Sequence, residues 1–184
     1  MKKYSVLYVT YAAMIAAAYV VLTVFVASFN MASGAIQVRL SEALTILPAF
    51  TNAAVPGLFV GCLISNLVTG LAPMDIVFGS LATLIGAFGT HALRKKNPLL
   101  ASVPPIVSNT VIVPFILKYV YNIPGSLPFF MLTIFAGEFI SCGILGQLFY
   151  HAILPHKRRL FPGMELPKEE QNSETPSDNS SDNV

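Results

Sequence analysis

Ninety residues separate Lys3 from Arg94, and only three of them, Arg39, Glu42 and Asp75, are formally charged at neutral pH. A chain with so little charge over such a length cannot give every element a water-facing side. Its hydrophobic share of 54% and mean hydropathy of +0.67 lie above the soluble norm. The chain reads as an integral membrane protein, and its apolar runs, too long for strands, make it all-α.

A spanning helix needs about 20 apolar residues. Tyr4–Phe29, Asp75–Leu93 and Leu127–Leu154 meet this directly, and Leu99–Val120 meets it despite Pro104, Pro105 and Pro114, which should kink it. Ser41–Leu71 is too long for one helix, at about 45 Å, and Pro48 and Pro56 interrupt it. It reads as two short helices broken at "FTNAAVPG", with Pro56 as the first residue of the second. Each half is shorter than a lipid-exposed span, so at least one should be shielded by neighbours.

Charge parity gives the count independently, because basic residues beside spanning helices concentrate on the cytoplasmic side. The clusters Lys2-Lys3, Arg94-Lys95-Lys96 and Lys157-Arg158-Arg159 all lie inside only if an even number of helices separates each from the next. Splitting Ser41–Leu71 yields six transmembrane helices with both termini cytoplasmic, in a multi-pass protein of the plasma membrane. The lysines before the first apolar run resemble a signal peptide, but the run continues to about Phe29 without a cleavage site and is expected to be a spanning helix. Residues 1–155 form the expected transmembrane domain. Residues 156–184, holding six of the nine acidic residues, are expected to be a disordered cytoplasmic tail.

Enzymatic signatures are missing. There is no HExxH, GxSxG or P-loop, and His91, His151 and His156 fall near the cytoplasmic ends. Cys62 and Cys142 lie inside apolar runs without metal-ligand spacing and read as core residues. Neither a metal, a cofactor nor a nucleic-acid partner is expected, and any active uptake needs energy from another subunit.

The topology assigns each polar residue a depth. Glu42 opens the second helix, Asn66 lies late in the third, and Asp75 opens the fourth. Asn109 sits mid-way along the fifth helix, Lys118 close to its outer end, and Glu138 about 15 Å into the sixth. With Arg39 these residues fall mostly in the outer half, as expected for a pocket open to the outside. Blander roles stand beside this one: Asp75 as a helix N-cap, Arg39 and Glu42 as a surface ion pair or cap, and Lys118 as a snorkelling lysine. Glu138 requires a buried partner such as Asn109 or Arg39. In the first helix, Ala12 and Ala16, and likewise Ala13 and Ala17, are spaced four apart, which permits close packing either within the chain or against another subunit. Gly57 and Gly61, with Gly79, Gly86 and Gly89, read as internal packing positions.

Over residues 5–154 the chain resembles the substrate-binding S components of energy-coupling-factor (ECF) transporters, through its alanine-rich first helix and "VPGLFVGCLISNLVTG…MDIVFGSLATLIGAF". Within that superfamily, "RLSEALTILP", "PGLFVGCLISN", "DIVFGSLATL", "SNTVIVP" and "AGEF" are similar to the QueT family of proposed queuosine-precursor importers. The acidic tail departs from the shared pattern.

The resemblance implies capture of a scarce micronutrient from outside, followed by delivery through a transmembrane coupling subunit driven by two ATPases. It implies a docking surface for that subunit at Ala12, Ala13, Ala16 and Ala17. It also implies a 7-deazaguanine ligand such as preQ1 or preQ0, whose adjacent N–H and amine donors suit the Glu138 carboxylate. Glu42 or Asp75 would neutralise a ligand cation, and Asn109 and Asn66 would serve ring nitrogens or the carbonyl; the outer position that charge parity gives Arg39 and Glu42 makes them expected lid or rim residues of the pocket. Another small vitamin as ligand, or a membrane scaffold without a transport role, are the competing readings.

Overall fold

The computed structural model describes residues 3–28, 39–94 and 97–161. Among the described residues every regular element is helical. α1 (Lys3–Ser28) is followed by a 3₁₀ helix (Leu40–Ala49), α2 (Ala54–Val68) and α3 (Pro73–Leu93). A short turn of helix, α4 (Pro98–Ala101), leads into α5 (Val103–Tyr119). α6 (Leu127–Glu138) then runs through a π-helical stretch (Phe139–Leu145) into α7 (Gly146–Ile153), and a 3₁₀ turn precedes α8 (Lys157–Leu160).

Among the described residues, four stretches are long and apolar enough to cross a membrane: Val6–Ser28, Pro73–Leu93, Leu99–Tyr119 and Leu127–His156. Their outward faces carry large apolar side chains, among them Val9, Phe25, Phe88, Leu132 and Leu148, which are half or more exposed. An apolar exterior of this extent is costly in water and favourable in lipid.

The Ser41–Leu71 segment splits as its prolines and length require. The break falls at residues 50–53, and α2 begins at Ala54, so Pro56 stands inside its first turn rather than at its first position. The half before the break is 3₁₀ rather than α. At about 2.0 Å rise per residue its ten residues reach about 20 Å, where an α-helix would reach about 15 Å. Its residues from Ser41 to Pro48 are buried apart from Ala43, so it is the shielded half. In the Leu99–Tyr119 stretch the chain breaks at Ser102, before Pro104 and Pro105, and Pro114 stays inside α5.

Small residues permit close helix contacts. A Cβ at Gly57 would stand 2.7 Å from the Ala12 carbonyl oxygen, and one at Gly61 would stand 3.0 Å from Ala16 Cα. A Cβ at Gly86 would stand 2.7 Å from Pro105 Cα, so α3 and α5 approach equally closely. Ala12 and Ala16 are therefore used within the chain against α2, while Ala13 and Ala17 are exposed. The core lies where α1, the 3₁₀ helix and α2 meet, around Tyr19, Leu44, Leu47, Leu58 and Cys62.

One end of the bundle is tied by Tyr8, whose hydroxyl donates to the Asn52 carbonyl at 3.4 Å, and by Arg94, which donates to Asn52 Oδ1 at 2.8 Å. Phe161 joins this end, its ring 5.6 Å from Tyr11 and 6.1 Å from Phe50. The first residues of the expected tail, 156–160, are thus helical and lead to the packed Phe161, and positions 162–184 lie outside the described residues, as do Lys2, Lys95 and Lys96.

Candidate functional site

Five elements bring two carboxylates together. Glu138 closes α6 and is buried; its Oε1 accepts from Asn109 Nδ2 of α5 at 3.0 Å, and its Oε2 accepts from Cys142 Sγ at 3.2 Å. Cys142 lies in the π-helical stretch, a local widening of the helix that recurs at functional sites. Glu42, third residue of the 3₁₀ helix, is 1% exposed, and its Oε1 accepts a hydrogen bond from the Tyr19 hydroxyl of α1. Thr45 Oγ1 donates to the Glu42 carbonyl at 2.6 Å.

Glu42, Glu138 and Cys142 each offer one ligating atom within 4.8 Å of the others. Glu42 Oε2 has no hydrogen-bond partner among the described residues. An open, buried carboxylate oxygen costs about 1–3 kcal/mol or more, so a donor brought to it is strongly favoured. Two carboxylates this close to each other suit a ligand rich in N–H donors or carrying a positive charge.

A cavity of about 340 Å³ opens beside Arg39 and Ser41, within the range of small-molecule sites of roughly 300–1,000 Å³. Arg39, Ser41, Asn66, Asp75 and Tyr121 supply polar groups to its wall. Thr23, Asn66 and Val113 also line it, and four positions earlier on the same helices stand Tyr19, Cys62 and Asn109. The cluster therefore sits about one helical turn, roughly 5.4 Å, deeper than the cavity wall.

The wall has its own hydrogen bonds. The Tyr121 hydroxyl donates to Asp75 Oδ2 at 2.9 Å and accepts from the Ala72 N–H at 3.1 Å, tying the end of α5 to the start of α3. Partial burial, followed by the Asp75 charge, pushes the Tyr121 phenol above its ordinary pKa, so it remains a donor. Gly79 leaves room for this arrangement: a Cβ there would stand 3.2 Å from Asp75 Oδ1 and 3.3 Å from Asn66 Nδ2. Ser41 is fully buried, and its hydroxyl is unpartnered among the described residues.

The structure separates the residues expected to act together. Arg39, Asn66 and Asp75 line the cavity, while Glu42, Glu138 and Asn109 form the deeper cluster, so Glu42 is not a rim residue. Nor is it half of a surface ion pair with Arg39, because it is buried and bonded to Tyr19. Asp75 does not cap its helix: Ala72 is the N-cap without a side-chain bond, and the carboxylate is directed to Tyr121. Of the two partners expected for Glu138, the structure selects Asn109. Lys118 stands apart from the cavity wall, its Nζ 5.9 Å from the Tyr119 ring centroid.

Tyr19, Ser41 and Tyr121 went unmarked in the sequence, and Cys142 was read there as a core residue. For Tyr19 a signal was present: a phenol in the middle of an alanine-rich apolar helix requires a hydrogen-bond partner when buried.

Apolar helices around an internal cavity, with carboxylates buried beneath it, define a helical membrane protein organised around a polar site. The family model described as QueT transporter matches residues 9–155. The chain belongs to the QueT transporter family and is a membrane transport protein rather than an enzyme. Among curated proteins and among solved structures, no significant match exists.

Proposed function

We propose that this protein is the substrate-capturing S component of an ECF-type importer, binding a 7-deazaguanine precursor of queuosine from outside the cell. The observation that carries this reading is the cavity placed one turn above Glu42, Glu138 and Asn109. A flat fused-ring ligand standing along the bundle axis spans that interval. Its adjacent ring N–H and amine donors meet Glu138, or the open Oε2 of Glu42, as charge-assisted hydrogen bonds. Asn109 and Asn66 serve its acceptors, Asp75 offsets a ligand cation, and Arg39 and Ser41 close the wall above it.

Six spans with both termini cytoplasmic fit the same reading. Arg94 and Phe161 share one end of the bundle with Tyr8 and Asn52, while Asp75 and Tyr121 gather at the cavity end. This supports placing the basic clusters inside the cell and the cavity outside. The exposed pair Ala13 and Ala17 is the surface proposed to meet the coupling subunit, whose two ATPase partners supply the energy.

The test is a thermal-shift panel on the detergent-purified chain with 7-deazaguanine precursors and unrelated vitamins. Selective stabilisation by the precursors supports the reading. Stabilisation by a different vitamin would reassign the ligand, and stabilisation by none would favour a scaffold role.

A further inference from the structure

Lys118 stands beside a second concavity. A groove of about 360 Å³ runs along another face of α3 and α5, lined by Met74 and Phe78 on one side and Val111, Phe115, Ile116 and Tyr119 on the other. Met74, Phe78, Val111, Phe115 and Tyr119 are 44–64% exposed, so the groove opens outward. From Val111 to Tyr119 it extends about 12 Å along the helix, close to the roughly 15 Å depth of one hydrocarbon leaflet. It ends where α5 ends, and there the Lys118 ammonium stands near the Tyr119 ring. Lysine and tyrosine at the end of an apolar helix belong at headgroup level.

We propose that this groove binds an anionic phospholipid, one acyl chain lying between α3 and α5 and the phosphate held by Lys118. The apolar lining accepts hydrocarbon and offers a polar ligand nothing to bond. The Lys118 ammonium at its mouth selects headgroup charge, because a zwitterionic headgroup brings a cation of its own. Occupancy also bears on the cavity: the same ends of α3 and α5 carry Asp75 and Tyr121, so a lipid wedged between them braces that wall from outside.

The chain contains no tryptophan, which allows a direct test. The Phe115→Trp protein is reconstituted in phosphatidylcholine bilayers containing a minor fraction of phosphatidylglycerol, and quenching by brominated chains of either lipid is compared at equal mole fraction. Brominated phosphatidylglycerol is expected to be favoured about fivefold, as one lysine near the surface provides. Lys118→Gln in the same background should bring the ratio close to one, and Leu132→Trp, on the lipid-facing side of α6, should show no preference. Phe78→Trp reads the groove from the facing helix if Phe115→Trp does not fold. Equal quenching by both lipids, a preference that survives Lys118→Gln, or the same preference at Leu132 would overturn the proposal.

Discussion

Gly57 lies against Ala12 so closely that a Cβ on it would stand 2.7 Å from the Ala12 carbonyl oxygen. The contact is backbone to side-chain position, so no rotamer change relieves it. With Gly61 against Ala16 and Tyr19, it fixes α1 on α2, and thereby the Tyr19 hydroxyl on Glu42.

Gly57→Leu should therefore separate α1 from α2. Overpacking of this kind costs about 1–3 kcal/mol or more, and thermal unfolding in detergent should register it as a clearly lowered transition. An unchanged transition would show that the two helices do not pack as described.

Ala13→Leu is the matched contrast. Ala13 is exposed, and its substitution should change stability by less than about 0.5 kcal/mol and leave ligand affinity intact. Uptake in cells and co-purification with a coupling subunit should be lost. Normal co-purification would remove Ala13 from the docking surface.

These two substitutions show where the sequence is and is not readable. The pairs Ala12/Ala16 and Ala13/Ala17 have identical spacing, and hydropathy alone does not say which of them faces Gly57. The long helices were legible because each apolar run matches a bilayer. The 3₁₀ form of Leu40–Ala49 and the π-helical Phe139–Leu145 were not, because neighbouring contacts set backbone rise as much as local composition does. Glu138 was legible by depth and Asn109 as its possible partner. Tyr19 was not marked and Cys142 was read as core, because each resembles ordinary core from the sequence side.

Tyr19→Phe removes the hydrogen bond to Glu42 Oε1 and leaves both oxygens of a buried carboxyl short of donors. Destabilisation of about 1–3 kcal/mol is expected on chemical denaturation. Glu42→Leu should recover part of that loss in the Tyr19→Phe background, since an apolar residue asks for no donor. If Tyr19→Phe is neutral, the bond contributes nothing to the fold.

Tyr121→Phe deletes the hydroxyl shared by Asp75 and the Ala72 N–H at the cavity wall. Because Tyr121 is partly exposed, folding should change little. Ligand affinity should fall about fivefold to tenfold, the equivalent of one lost hydrogen bond of about 1–1.5 kcal/mol. Calorimetric titration with the best-stabilising precursor reads this directly, and an equal affinity would exclude the Asp75–Tyr121 contact from binding.

The most direct test of the central claim is calorimetric titration of the full chain and of Glu138→Gln with a 7-deazaguanine precursor, alongside their unfolding transitions. Replacing the carboxylate removes an acceptor for two charge-assisted hydrogen bonds, and affinity should fall on the order of a hundredfold or more while the protein stays folded. A folded Glu138→Gln protein with wild-type affinity would contradict the assignment of Glu138 to the ligand.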